Sequence, residues 1–298
     1  MGVDVFFVLS GMLMSNILFI DRMMLRDFYI RRFSRVIPTL LAFLCVSFIL
    51  AVLMRYDFKI SELVASAFFI RTYFPVEPAY FTSPLPTGHL WSLSVEEHSY
   101  IIMSLMSMFL LSRGKIMLAL FSIYLFSVGI NFYNYTIMPA KEFEFSLIRT
   151  EAAIGFIAFS AAYNLFRKER SISVHPWVPL AFLLIAFVCY FDAAPIWLTF
   201  LVCPVLLGVA INHLTESAKP LQLFLTIAPL RWLGVLSYSI YLWQQIFYKL
   251  FYTLPGKELT GFILSIVVGA MSFYLFEDPI RRHINQRWSK NPQYHNKR

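Results

Sequence analysis

Charge is what this chain has least of. Only 14% of its 298 residues are Asp, Glu, Lys or Arg, against about a quarter in a soluble domain. Hydrophobic residues make up 59% and the mean hydropathy is +0.66, which excludes a soluble globular domain. Cysteine is scarce as well. Cys45, Cys189 and Cys203 are odd in number, lie inside apolar runs and lack metal-ligand spacing, so they are expected to be buried thiols. No Walker loop, dinucleotide glycine pattern, HExxH or G-x-S-x-G occurs, and no metal is expected. No file of acidic residues runs along the apolar segments, as an ion pump would need. The N-terminus has no basic leader with a small-residue cleavage site, so no removable signal peptide is expected.

Long apolar runs are what the chain has in abundance. A spanning helix needs roughly 20 mostly apolar residues. Nine runs qualify: 3–20, 36–54, 93–112, 116–138, 148–166, 177–191, 195–214, 232–252 and 259–276. The predicted fold is therefore an all-α integral membrane protein, a multi-spanning helical bundle of about nine transmembrane helices. The segment 60–71 is too short to span and is expected at the interface. Pro38, Pro139, Pro195, Pro229, Pro255 and Pro279 stand near predicted ends, and Pro204 is expected to kink its span.

The net charge of +8 does not indicate nucleic-acid binding, because the basic residues sit in short loops between apolar runs. Every second loop is basic. Arg22, Arg26, Arg31, Arg32 and Arg35 come first, then Arg113 and Lys115, then Arg167, Lys168 and Arg170, then Lys219 and Arg231, and finally the tail. The positive-inside rule makes that side cytoplasmic, with the N-terminus outside and the C-terminus inside. Membrane lipid is the expected surrounding partner. The tail from Asn285 is polar and is expected to fray.

Against this apolar background a few polar groups need a reason. HLWSLSVEEHSY, His89 to Tyr100, brings two adjacent carboxylates and two histidines to the mouth of a span. Glu96 there could take a proton from a hydroxyl, with His89 and Trp91 beside it. An acidic helix start with belt residues is the structural reading of the same stretch. Adjacent glutamates point about 100° apart on a helix, so only one faces a given site. Arg32 and Arg35 are three apart and would share a face if the preceding loop is helical. Such a pair could hold phosphates bidentately, or could simply anchor the cytoplasmic side. Arg149 and Glu151 are expected to be buried among apolar residues and to neutralise each other or other intramembrane charges. Ser237, Tyr238 and Tyr241 could line a polar groove or serve as interhelical contacts. Glu277 beside Arg281 and Arg282 is expected to be a surface ion pair and helix stop.

Taken together, these stretches resemble the acyltransferase 3 family. GVDVFFVLSG from Gly2 looks like its GVDxFFxxSG, and FYIRRFSRVIP is similar to its RxxR segment at Arg32 and Arg35. HLWSLSVEEHSY resembles its HxWSLxxEExxY, and RTEAAIG its RxxELxxG with Glu151 shifted by one. SYSIYLWQQ is similar to its SYxxYLxH, and YLFEDPIRR to its closing E-x-P-x-R. Gln244 and Gln245 stand where many members have histidine, and His98 and Ser99 where Gln-Phe is usual.

The resemblance implies a transmembrane domain over 1–282 followed by a cytoplasmic tail, 283–298. It implies an acyltransferase in the bacterial inner membrane that O-acylates envelope polysaccharide, with acyl-CoA, most often acetyl-CoA, as donor and a glycan as acceptor. Glu96, His89 and Trp91 would be its catalytic residues. Arg32 and Arg35, with Ser237 and Tyr238, would bind the donor. Members usually carry one more helix before the GVD motif, with an R-x10-H element. The chain is therefore expected to be a truncated or mis-started form with weak or no activity. The rival expectation is a degenerate member or a transporter of a lipid-linked glycan.

Overall fold

A computed structural model describes residues 1–75, 83–191, 194–251 and 257–288. Among them there are helices and turns and no strand. In chain order the helices are α1 (Gly2–Met14), α2 (Leu25–Leu53), α3 (Ile60–Ala67), α4 (Trp91–Phe109), α5 (Arg113–Ile137), α6 (Ala140–Ser146) and α7 (Thr150–Arg170). There follow α8 (Val178–Val188), α9 (Trp197–Leu201), α10 (Cys203–Asn212), α11 (Lys219–Leu225), α12 (Ala228–Phe251), α13 (Glu258–Ser272) and α14 (Asp278–Trp288). π-helical turns extend α1 over Ser15–Ile20 and join α13 to α14 over Phe273–Glu277.

This is a helical membrane protein, but the expected nine spans are not all found. Among the described residues four helical stretches are long and apolar enough to cross: Gly2–Ile20, Leu25–Leu53, Arg113–Ile137 and Glu258–Trp288. The number rises to six if the bent pairs α6–α7 (50°) and α11–α12 (56°) each count once. α4 does not qualify, for its first turns carry Glu96, Glu97 and His98. α8 is only 11 residues long. The run 195–214 is divided into α9 and α10 at Val202, just before Pro204, where a break was expected. Pro38, expected at an end, lies inside α2. It denies the Ser34 carbonyl its helical donor, a loss that membrane helices tolerate when packed neighbours compensate. Pro255 lies outside the described residues, as do the last ten residues of the tail. Asn285–Trp288 continue α14.

The chain forms two units. One comprises Met1–Arg22 and Trp91–Ile227, the other Met23–Leu90 and Ala228–Arg298.

In the first unit α7 is the central helix. Its sequence supplies small residues at close spacing, and Ala153, Gly155, Ala158, Ser160, Ala161 and Ala162 are all buried. In lipid, helices gain by backbone approach and interhelical hydrogen bonds, which small residues permit. Ser160 donates to the Val8 carbonyl of α1 at 2.7 Å, and Asn164 donates to Ser15 Oγ at 2.6 Å. Arg167, Lys168 and Arg170 fill the last turn of α7, where the helix dipole favours cations. Ser171 closes it in the left-handed conformation, with φ 51°.

Gly11 marks the closest approach. A Cβ there would stand 2.2 Å from the Ile157 carbonyl oxygen of α7, an atom with no freedom to rotate away. Gly11→Ala should therefore lower stability by about 1–3 kcal/mol, the usual range for overpacking. Gly129→Ala meets nothing within 4 Å and serves as the control. Detergent thermal melts of the two variants check this: equal melting temperatures would contradict the close packing.

In the second unit α2 packs with α12 and with the turn before α14. Tyr238 donates to the Val36 carbonyl at 2.9 Å, and Ser34 donates to Asn285 Oδ1 at 3.2 Å. Phe43 meets Trp243 edge to face, with ring centroids 5.6 Å apart.

Candidate functional site

The first unit holds two adjacent buried carboxylates, Glu96 and Glu97. α4 turns Ser92, Leu93, Val95, Glu96, Ser99 and Tyr100 inward, so Glu96 is only 1% exposed. Its Oε1 accepts from Ser10 Oγ of α1 at 2.8 Å and from the Tyr100 hydroxyl one turn along α4. A carboxylate held by two hydroxyl donors has its rotamer locked. Glu97 is buried too, about 100° round the helix. His98 Nδ1 lies 2.7 Å from Thr150 Oγ1, tying the start of α4 to the start of α7. Trp91 is half-buried, meets Phe7 edge to face at 6.0 Å and lines a cavity of this unit.

Of the sequence-predicted residues, then, Glu96 and Trp91 belong to the first unit, and His89, Arg32, Arg35, Ser237 and Tyr238 belong to the second. His89 sits on the 3-10 turn Gly88–Leu90, its ring edge-on to Phe43 and Tyr241 at 5.7 and 4.8 Å. The Tyr241 hydroxyl donates to the His89 carbonyl. Burial pushes the imidazole down to about 3, so His89 is neutral near pH 7. In that form it can donate one hydrogen bond and accept one.

α2 is helical from Leu25, so Arg32 and Arg35 do share one face, a turn apart. Arg35 is exposed and close enough to Glu277 to act on it electrostatically. Two guanidinium groups on one face can each hold phosphate-type oxygens bidentately. Ser237 is exposed. The buried serine of α12 is Ser239, which donates to Glu277 Oε2 at 2.6 Å.

Two expectations are corrected. Glu277 is not a surface partner of Arg281 and Arg282. It is 1% exposed, and both arginines pair with Asp278 instead. Nor does the helix stop there, because the π-helical turn Phe273–Glu277 carries it directly into α14, with Pro279 as the second residue of that helix. Arg149 is exposed at the start of α7, because its backbone caps the helix and its side chain turns outward.

Sequence reasoning missed a cluster at the basic end of α7. The His213 ring lies between the Tyr163 hydroxyl and Glu216, at 2.9 Å from each, and Arg167 also pairs with Glu216. The His213 hydrogen bond, aided by Arg167, holds the Glu216 carboxyl below its usual range. Ser10 was missed too, although it lies in the GVDVFFVLSG stretch. All three cysteines are free thiols, and Cys45 is exposed rather than buried.

A family model described as an acyltransferase domain, acyltransferase 3, matches residues 1–278. Among curated proteins the chain is 29% identical to a peptidoglycan O-acetyltransferase, OatA, of Listeria monocytogenes, over 95% of this chain and 51% of the relative. It is 26% identical to the O-acetyltransferase OatA of Staphylococcus aureus, over 95% and 52%. It is 27% identical to a putative peptidoglycan O-acetyltransferase, YrhL, of Bacillus subtilis, over 94% and 50%. The chain thus spans about half the length of the curated relatives it matches. No solved structure is a significant match.

Proposed function

Because the chain belongs to the acyltransferase 3 family, we propose that it moves an acyl group, acetyl in the first instance, from acyl-CoA to a hydroxyl of an envelope glycan. The names of its relatives favour peptidoglycan as that glycan. The observation that carries this reading is Glu96: a carboxylate shut inside an apolar bundle and held by Ser10 and Tyr100. An ionisable group so placed at membrane depth is costly unless it works.

In this reading Glu96 takes the proton of the acceptor hydroxyl as its oxygen bonds to the acyl carbon. The carbon–sulfur bond breaks, and the proton passes on to the departing thiolate. Trp91 packs beside the acceptor, and His89, as a neutral imidazole, donates or accepts a single hydrogen bond. Arg32 and Arg35 hold the donor's phosphates, and Ser237 and Tyr238 line its path. The spanning domain is 1–282, with nine crossings in an inner membrane, a cytoplasmic arginine face, an outer N-terminus and 283–298 as the inner tail.

Contacts inside the first unit agree with that orientation. Lys168, at the basic end of α7, donates to Asn16 near the end of the first span. At the other ends of the same helices, Asp4 of α1 accepts from Tyr190 beyond α8. The test is mass analysis of envelope glycans from a strain lacking the gene. O-acetyl groups per sugar should fall while glycan amount holds. Unchanged acetylation with less exported glycan would point to a transporter and sink the proposal.

A further inference from the structure

The first unit holds a half-open cavity of about 240 Å³. Its lining comes from the start of α1 (Asp4), the start of α4 (Trp91), the far end of α5 (Asn131), the first turns of α7 (Ala153, Phe156) and the segment after α8 (Tyr190). These are the ends opposite the basic last turn of α7.

Asn131 is the telling residue. It is 1% exposed, and its Nδ2 donates to the Ser127 and Ala152 carbonyls at 2.9 and 3.0 Å. Its Oδ1 is buried with no hydrogen-bond partner among the described residues. A buried polar atom without a partner is costly, and such groups gather where a ligand or water completes them. Asp4 Oδ2 adds a second acceptor, taking a hydrogen bond from Tyr190 at 2.7 Å and lying 3.1 Å from the Met1 amino group. No Lys, Arg or His side chain lines the cavity among the described residues, and the Met1 amino group is matched by Asp4, which disfavours an anionic guest, including the donor's phosphates. Trp91 and Phe156 supply aromatic walls. The π-face of an aromatic ring is negative and attracts the weakly positive C–H bonds of a saturated ring.

Acceptor atoms fixed by a scaffold, aromatic walls and the lack of a basic side chain among the described lining residues together select a neutral, hydroxyl-bearing ring. A single water needs only ~10–15 Å³ by the same measure, so the space admits a sugar ring. Trp91 precedes Glu96 by five residues, about 7.5 Å along the helix axis. The cavity therefore lies outward of the carboxylate rather than around it.

We propose that this cavity is a recognition subsite for one pyranose ring of the glycan acceptor, with Asn131 Oδ1 and Asp4 accepting ring hydroxyls and Trp91 packing on its apolar face. The inference rests on the reading of the protein as a glycan acyltransferase.

Calorimetric titration of the whole chain in nanodiscs with chitotetraose, a neutral amino-sugar oligomer, tests it. Two variants are compared with the parent: Ala153→Leu, which fills the cavity, and Tyr190→Phe, which releases Asp4. Unchanged melting temperatures establish that both are folded. Binding should weaken at least tenfold in the first and several-fold in the second. Equal affinity in all three proteins, no binding by the parent at millimolar sugar, or binding of choline in place of the sugar would each overturn the subsite. The last would mean that Asp4 and the aromatic walls read a cation. Glycan O-acetylation in cells, scored separately, tells the two failures apart. Lost acetyl transfer with sugar binding intact would discredit the transferase. Normal acetylation with binding indifferent to Ala153→Leu would discredit the subsite alone.

Discussion

Glu96→Gln, placed in the gene at its own locus, should lower glycan O-acetylation by about 10²-fold or more, the lower end of what general acid–base catalysis contributes. The substitution is close to isosteric. The amide oxygen of glutamine can still accept from Ser10 Oγ and the Tyr100 hydroxyl, so the packing of α1 on α4 is kept. What is lost is the capacity to take a proton, and protein level in the membrane should not change.

The two donors give a graded companion result. Ser10→Ala and Tyr100→Phe leave the carboxylate in place but release it from one hydrogen bond each. A hydrogen bond to a charged group is worth about 1.5–3 kcal/mol. Each of these variants should therefore lose roughly tenfold in rate, because the bond holds the carboxylate in the position from which it takes the proton. Acetyl per sugar, measured against the amount of chain in the membrane, separates the three. If Glu96→Gln retained parental acetylation while Ser10→Ala abolished it, the carboxylate would have no chemical role.

Much of this arrangement could be read before any coordinates. The apolar runs identified a helical membrane protein, and the three-residue spacing of Arg32 and Arg35 became a shared face once α2 proved helical from Leu25. The stretch from His89 to Tyr100 pointed to Glu96 because carboxylates are rare in such surroundings.

Other features are not local properties. That Ser10 meets Glu96 depends on α1 lying against α4, 86 residues away in the chain. On α12, Ser237 and Ser239 stand two residues and about 200° apart, so composition could not say which faces inward. The packing partner decided it: Ser239 meets Glu277. The same contact explains why Glu277 was misread, since a carboxylate next to two arginines reads as a surface pair until another helix covers it. The span count is matched only in part, with four to six candidates among the described residues, for a different reason. Hydropathy averages over a window, and the residues that make α4 interesting also lower its average. The division into two units, with Met1–Arg22 joining Trp91–Ile227, has no sequence signature at all, because nothing in a linear pattern records which helices associate.

Arg71 carries the largest expected effect on stability. With Glu62 it forms an ion pair in which both side chains are 0% exposed, at 3.3 Å, and it also donates to the Pro75 carbonyl at 3.1 Å. The Thr87 hydroxyl stands 3.5 Å from the same carboxylate oxygen, at the limit of a hydrogen bond. Lys249 of α12 is near enough to feel both charges, and its ammonium donates to the Ser83 carbonyl. Together these contacts tie the segment after α3 to α12 within the second unit.

Removing one member of a buried pair leaves the other charge without compensation, at a cost of about 3–5 kcal/mol. Replacing both by uncharged groups of similar volume removes the penalty along with the attraction. Arg71→Met should thus lower the melting temperature of the detergent-solubilised chain steeply. Adding Glu62→Gln to it should restore a good part of the loss, because the double variant buries no lone charge. The cycle of single and double variants measures the coupling directly. Additive losses would mean that Arg71 and Glu62 contribute separately, and that the cluster is held by its backbone contacts rather than by the ion pair.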